Sequence, residues 1–461
     1  MGTRRDFLTS AVAAAALGGP ARLLAQGDGP EVLTARPASV RLLPESYPLT
    51  QVWSYGGTVP GQVLRAPQGA RLYRQLVNAL PDATSVHWHG VRLDNAMDGV
   101  AGLTQQAVAP GASFEYDFHL PDAGTYWYHA HNRSFEQVAR GLYGALIVDE
   151  PDRPDIDRDE VLMLDDWRLS PDDGQLVGSF DDRHDHSHAG RLGNYVATNG
   201  QPRFSRDVAQ GERLRLRLIN AANARIFALG LSGMEGWIMA HDGMPLAEPE
   251  PMPEVLFLGP AQRVDLFVDV TAPVGETAWL VRFDDGQGYA QAGFPVIAAA
   301  RDRRPAPAPL PPNPRMAVGG LDGALRLRLD MQGGAMGRMT GALLDGRPAS
   351  FQELAAANRF WAFNGVVGLT DTPLAEVPQG RTVRIAMVND TVFPHAMHLH
   401  GMHFREVLAG GGLGPMRDTL LIAADETREI AFMADNPGDW LLHCHMLSHA
   451  AAGMSTWLRV A

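Results

Sequence analysis

The chain has 461 residues, of which 45% are hydrophobic and 20% charged, too apolar for a disordered chain and sufficient for packed cores. Its 39 basic and 52 acidic side chains leave a formal charge of −13, which argues against nucleic acid as a partner. With 33 Pro and 49 Gly, long helical bundles are excluded, and the length suggests about three domains.

At the N-terminus, Thr3-Arg4-Arg5-Asp6-Phe7-Leu8-Thr9 precedes an apolar run from Ala11 to Leu17 that is too short to span a bilayer. Residues 1–25 read as a cleavable signal, cut after Ala25. The paired arginines resemble the twin-arginine export signal, which implies the twin-arginine machinery as a transient partner, a periplasmic destination and no stable membrane span after processing.

Three segments align without a gap: Gly69–Asn78, Gly211–Asn220 and Gly380–Asn389. Each alternates apolar with polar or Arg residues at period two, predicting a half-buried strand entered through a turn glycine. A second repeat relates Asp122-Ala123-Gly124-Thr125-Tyr126-Trp127-Tyr128 to Asn436-Pro437-Gly438-Asp439-Trp440-Leu441-Leu442, a turn followed by an aromatic, apolar strand. Short strands divided by Gly, Pro and Asp predict an all-β chain of three antiparallel sandwiches. Their expected bounds are 31–152, 153–300 and 316–461, with a stiff Pro-rich linker over 301–315 before the third.

Nine and eleven residues after the repeat Asn stand His87 and His89 in the first copy, His398 and His400 in the third, and Leu229 and Leu231 in the second. Five and seven residues after the Gly of the later repeat stand His129 and His131, and again His443 and His445. The chain holds 16 His, and eight of them fill equivalent positions. Residues i and i+2 of a strand face one side, so four His-x-His pairs predict a multinuclear metal centre between the first and third domains. Imidazoles without a carboxylate suit Cu, Zn, Fe or Ni.

Cys444 is the one cysteine, so no intrachain disulfide is possible. Lying between His443 and His445, its sulfur points to the opposite face and belongs to a second site. His395, His449 and Met454 are near in sequence, and two His, one thiolate and a weak axial Met form the ligand set of a blue-copper electron-transfer centre.

Four motifs together resemble the multicopper oxidase family: His87-Trp88-His89-Gly90, Trp127-Tyr128-His129-Ala130-His131, His395-Ala396-Met397-His398-Leu399-His400-Gly401, and His443-Cys444-His445-Met446-Leu447-Ser448-His449 with Gly453-Met454. The resemblance implies three cupredoxin-like Greek-key domains and four copper ions. Type 1 copper would lie on His395, Cys444, His449 and axial Met454, and type 2 on His87 and His398. His89, His129, His131, His400, His443 and His445 would hold the type 3 pair. The implied reaction is one-electron oxidation of phenols, aromatic amines or Cu(I) at the type 1 copper. Electrons would pass through Cys444 to His443 and His445, and O2 would be reduced by four electrons to water. Asp98 matches an acid near the trinuclear cluster in bacterial members, against the reading of an ordinary turn Asp before Gly99, whereas Ala450 stands where some members carry an acid. Asp418 resembles an acid near the type 1 His and is a candidate for the substrate side, against a place in a solvated loop. Met331, Met336 and Met339, with Met316 upstream, are candidate Cu(I) contacts that compete with packing. His184 to His188 is expected to be a polar surface loop rather than an accessory metal loop, and His119, His241 and His403 structural. Two other readings are a copper-free exported scaffold of the cell-division type, opposed by the complete ligand set, and a copper nitrite reductase, a family that lacks eight such histidines in one chain. With both halves of the site in one chain, a monomer could be complete.

Overall fold

The computed structural model describes residues 29–299 and 302–461, so the signal expected over 1–25 lies outside the described residues. The repeat segments form the strands Arg71–Asn78, Arg213–Asn220 and Arg381–Asn389. Each is entered through a glycine at positive φ, 81° at Gly69, 77° at Gly211 and 80° at Gly380, a conformation that a side chain would strain. Each ends on the repeat asparagine, whose amide is used identically three times. Asn78 Nδ2 donates to the carbonyls of Asp82 and Val108, and its Oδ1 accepts from Leu80 N–H. Asn220 does the same with Arg225, Leu258 and Ala222, and Asn389 with Phe393, Ala423 and Thr391. Three bonds from one buried amide fix the loop that leads into the next strand, which carries the His pair in two of the copies.

In every domain the repeat strand pairs in parallel with the domain's first strand, Glu31–Val40, Arg158–Trp167 or Leu325–Gly333. On its other side it pairs antiparallel with Ser113–His119, Arg263–Val270 or Thr427–Ala434. The opposing sheet of the first domain runs Gly61–Pro67, Tyr143–Asp149, Gly124–Ala130, Val86–His89. That of the third runs Ala375–Val377, Ser455–Val460, Gly438–Cys444, His395–Leu399, Thr419–Ile422. The first pair in each of these sheets is also parallel. The sandwiches are therefore mixed rather than antiparallel throughout. Turn residues reveal that the chain reverses, but not that it crosses to the other sheet and returns beside an earlier strand.

Apolar side chains of the first and third domains merge into one cluster, from Trp88 and Tyr128 through Trp361 to Leu442 and Met454, whereas the second domain has its own core. The His-bearing strands lie on that merged boundary. Polar clips close it, with Asn95 Nδ2 donating to the Asp439 carbonyl at 2.7 Å and Asn436 Nδ2 to that of Leu93 at 2.9 Å.

The second repeat strand departs from the half-buried expectation, since Arg213 to Asn220 are all buried. Its arginine face is covered by the first domain and by the Pro-rich segment, and a guanidinium there must be paired. Arg213 is held by Asp269, Arg215 by Glu150 and Asp265, and Arg217 by Asp159. The described part of the Pro-rich segment is a strap rather than a free spacer: the Pro305 carbonyl accepts from Arg213 at 2.7 Å and the Pro314 carbonyl from Arg92 at 2.6 Å.

Asn220→Ala tests the repeat amide where no metal ligand is near. It leaves two carbonyls and one N–H without partners and is expected to cost on the order of 2–3 kcal/mol. The second domain's thermal transition falls by several degrees; an unaltered transition would remove the amide from the folding argument.

Candidate metal centre

Two strand pairs face each other across the boundary. In the first domain His87 lies opposite His129, and in the third His398 lies opposite His443 and Met397 opposite Cys444. His131, His400 and His445 stand just past the ends of these strands. Docking brings His87 onto His400, ring centroids 3.9 Å apart, and His89 onto His398 at 3.8 Å. Ligand-type atoms of His87, His398 and His400 lie within 4.8 Å of one another, as do those of His87, His89 and His129, and of His131, His400 and His443. His445 closes the group, its Nε2 3.5 Å from that of His129. The eight repeat histidines thus form one cluster.

The hydrogen bonds define which nitrogen of each ring is free. A carbonyl oxygen can only accept, so a ring nitrogen against it carries the proton and the other nitrogen carries the lone pair. His87 Nδ1–H donates to the Asp98 carbonyl at 2.8 Å, His398 Nδ1–H to that of Asp418 at 3.0 Å, His129 Nδ1–H to that of Ala130 at 3.1 Å and His443 Nδ1–H to that of Cys444 at 2.9 Å. His400 Nδ1–H donates to the Asp98 carboxylate at 3.0 Å. Five Nε2 lone pairs remain and point inward. His89 is reversed: Nε2–H faces Asp418 Oδ1 at 3.3 Å, and Nδ1 is the free atom. Nε2 of His87, His131 and His398, with Nδ1 of His89 and His445, are buried without any hydrogen-bond partner. Nε2 of His400 and His443 face each other at 3.2 Å with both protons used elsewhere. Such lone pairs repel unless a cation lies among them. The donor set, all imidazole, fits a nitrogen-seeking transition metal.

On the opposite face of the Gly438–Cys444 strand, Cys444 Sγ is 3.5 Å from His395 Nδ1 and 3.8 Å from His449 Nδ1, and the two Nδ1 atoms are 3.1 Å apart. His449 Nε2–H donates to the His188 carbonyl at 2.6 Å, and Thr391 Oγ1, which donates to Asn389, accepts from His395 Nε2–H at 2.9 Å. Both Nδ1 lone pairs therefore face the sulfur. Met454 is fully buried, and its carbonyl accepts from Cys444 N–H at 3.1 Å. Burial raises the Cys444 thiol to about 12, so a bound cation is what would make it a thiolate.

Asp98 lies just after the turn Asn95–Met97 and is 1% exposed; it orients His87 through its carbonyl and His400 through its carboxylate. Asp418 is not on the substrate side. It is buried beside the eight-histidine cluster, against His89 and His398, at the bend between the strands Leu413–Arg417 and Thr419–Ile422, where Arg263 pairs with it at 2.6 Å. Burial alone would raise its carboxyl, but Arg263 together with His89 and His398 holds it well below the usual range. The methionines differ in burial: Met331 is in the core, Met339 is partly buried against a small apolar cluster, and Met336 is 77% exposed. Packing thus claims Met331 and Met339. Residues His184 to His188 are no surface loop either. Arg183–Ser187 is a short helix packed on Leu447–Ala451, with His186 buried and its Nδ1 3.0 Å from the Ser448 carbonyl. An apolar partner surface drew in a segment whose composition reads as polar.

Arg263, Asp242, Thr391, Thr419 and Trp361 escaped the sequence reading. Trp361 lies 4.4 Å from His449, ring to ring, and donates Nε1–H to the His186 carbonyl. His403 is buried 3.6 Å from Asp418 Oδ2, with no hydrogen-bond partner on either nitrogen. No local pattern marks these residues: Arg263 and Asp242 meet Asp418 from another domain, whereas Thr391, Thr419 and Trp361 contact histidines of their own.

Family profiles described as multicopper oxidase match residues 38–153 and 345–461. The multicopper oxidase MmcO of Mycobacterium tuberculosis is 31% identical over 461 residues, covering 92% of this chain and 86% of that protein. Among solved structures, Lac15 from a marine microbial metagenome is 42% identical with a TM-score of 0.76, covering 94% of this chain and all of the other. A multi-copper oxidase from Pseudomonas thermotolerans is 31% identical with a TM-score of 0.81, covering 93% of this chain and 98% of the other.

Burial holds His131 and His449 at about 3 and His89, His129, His395, His400, His443 and His445 well below the histidine range. In the unfolded chain these rings titrate near roughly 6.5. The unfolded state alone therefore takes up protons as pH falls, and stability complete above about 6.5 is lost progressively toward about 3. The thermal midpoint of the metal-free protein is expected to drop between pH 7 and pH 5; a flat midpoint over that interval contradicts neutral buried rings.

Proposed function

Because the chain belongs to the multicopper oxidase family, we propose that it couples one-electron oxidation of phenols, aromatic amines or Cu(I) to four-electron reduction of O2 to water, using four copper ions. The observation that carries this reading is the convergence of imidazole lone pairs between the first and third domains, with Cys444 on the reverse of the same strand. His395, Cys444, His449 and Met454 would hold the type 1 copper, and His87 and His398 the type 2. His89, His129, His131, His400, His443 and His445 would hold the type 3 pair. Bound copper would supply the electron transfer and the O2 chemistry.

The chain's own residues account for wiring and orientation. Cys444 is bonded to His443 and His445 on either side, and its carbonyl also accepts from His443 Nδ1–H at 2.9 Å, giving a covalent and a hydrogen-bonded route between the two sites. Asp98 holds the rings of His87 and His400, and as a buried acid at the cluster it is the candidate for delivering the protons that water formation consumes. Ala450 offers no acid on the other side. The packing of Met331 and Met339 in apolar clusters favours a structural role for them over a shared Cu(I) site, and supports an organic reductant. A copper-free scaffold has no use for buried, mutually repelling lone pairs.

Periplasmic export by the twin-arginine machinery is supported by Arg4-Arg5 and the following apolar run. Among the described residues no helix is long and apolar enough to cross a membrane.

Three measurements test the reading. Oxygen uptake by the copper-loaded protein, with a methoxyphenol and Cu(I) at matched concentrations, is expected to be faster with the phenol; the opposite preference returns Cu(I) as substrate. Cys444→Ser should abolish blue absorption and turnover while the remaining copper stays bound, and full activity in this variant would sink the assignment. Asp98→Asn should slow reoxidation by O2 about 10²-fold or more and reduction by substrate far less; unchanged reoxidation leaves Asp98 a turn residue.

A further inference from the structure

We infer that the ligand-free second domain carries a positioning site for the cluster: Arg263, braced by Asp242, holds Asp418 so that Asp418 takes His89 Nε2–H and turns His89 Nδ1 toward His87 and His129. This rests on the reading of these rings as copper ligands and adds what sets the orientation of one of them.

Arg263 is fully buried and has an acceptor for each of its five guanidinium hydrogens. Nε donates to the Thr125 carbonyl of the first domain at 3.2 Å. Nη1 donates to the Ala261 carbonyl at 3.2 Å and to Asp418 Oδ1 at 2.8 Å. Nη2 donates to the Asp242 carbonyl at 2.9 Å and to Asp418 Oδ2 at 2.6 Å. A fork satisfied in this way cannot rotate. Asp242 fixes the backbone on both sides, its Oδ1 accepting from Arg263 N–H and its Oδ2 from the N–H groups of Asp418 and Thr419. Asp418 is consequently immobile in side chain and main chain.

What Asp418 then contacts is metal-facing. Its Oδ1 accepts from Thr419 Oγ1–H at 2.7 Å and from His89 Nε2–H at 3.3 Å, and its carbonyl accepts from His398 Nδ1–H. The rings that use Nδ1 on the protein, His87, His129, His398, His400 and His443, leave Nε2 free. His89 alone is held at Nε2 by a carboxylate, and that carboxylate is the one clamped by Arg263. The neighbouring Gly90, at φ 86°, leaves room for the clamp: a Cβ there would sit 2.3 Å from Arg263 Nη2 and 2.7 Å from Asp418 Oδ2.

The test uses full-length protein carrying Arg263→Gln, Arg263→Lys or Asp418→Asn, with wild type alongside. Readouts are copper per chain, the Cys444-dependent blue absorption, and the protonated nitrogen of His89 in metal-free, ¹⁵N-His-labelled protein. In the Gln and Asn variants, copper affinity at the cluster should fall about 10–100-fold with the blue absorption intact. His89 should lose its Nε2–H form in Arg263→Gln, and Arg263→Lys should retain part of both; in Asp418→Asn an amide oxygen still accepts, so copper affinity is the readout there. Should the single variants fail to fold, Arg263→Gln combined with Asp418→Asn removes both buried charges and is judged by the same criteria. Full copper loading with His89 still in the Nε2–H form overturns the inference, as does loss of copper from both sites in step. Wild type that takes up no copper refutes the proposed function itself, a result distinguishable from either.

Discussion

A neutral imidazole has one N–H and one lone pair, and in this protein the backbone and two carboxylates claim the N–H of most of the buried rings. The lone pairs that remain are forced toward each other, with His400 and His443 Nε2 atoms 3.2 Å apart. Protonation would relieve this, but burial opposes it, as the lowered values of His443 and His400 show. The arrangement is thus unfavourable by itself, and its organisation must come from elsewhere: the shared core of the first and third domains and the clips at Asn95 and Asn436. A bound cation converts the same repulsion into affinity, which couples metal binding to the docked state of the domains.

The three copies of the repeat divide the work along those lines. All keep the turn glycine and the asparagine amide, because these fold the sandwich. Only the outer two keep histidine at the following strand. The middle copy, with Leu229 and Leu231 there, instead turns an arginine-rich strand toward the first domain and the strap. Its carboxylate partners remove the cost of burying guanidinium and make the docking orientation specific. Arg263 extends this role to the boundary where all three domains meet.

Much of this was legible in one sequence because local rules write it there. Period-two alternation, the Gly-to-Asn spacing and the His-x-His pairs are each set within a strand, and Cys444 between His443 and His445 separates two sites by side-chain alternation alone. Other features are set between strands distant in sequence. Asp418 was misplaced because its motif says nothing about the arginine of another domain that draws it to the cluster. The His184–His188 segment looked solvated because its apolar partner, Leu447–Ala451, is 260 residues away. The parallel strand pairs were hidden for the same reason.

The covering of His449 follows from that last contact. His395 and His449 are both without solvent exposure, and the outward nitrogen of His449 is occupied by the His188 carbonyl. His188 is itself half-buried, with its ring stacked on exposed His184 at 3.9 Å and near Phe393 at 6.0 Å. If His449 holds the type 1 copper as proposed, a reductant on this side would meet the segment before the imidazole, and that hydrogen bond would be its shortest link to the ring. On this side the ring edge is covered by the second domain, so in the proposed oxidase the shape and chemistry of the covering segment would bear on which reductants approach it.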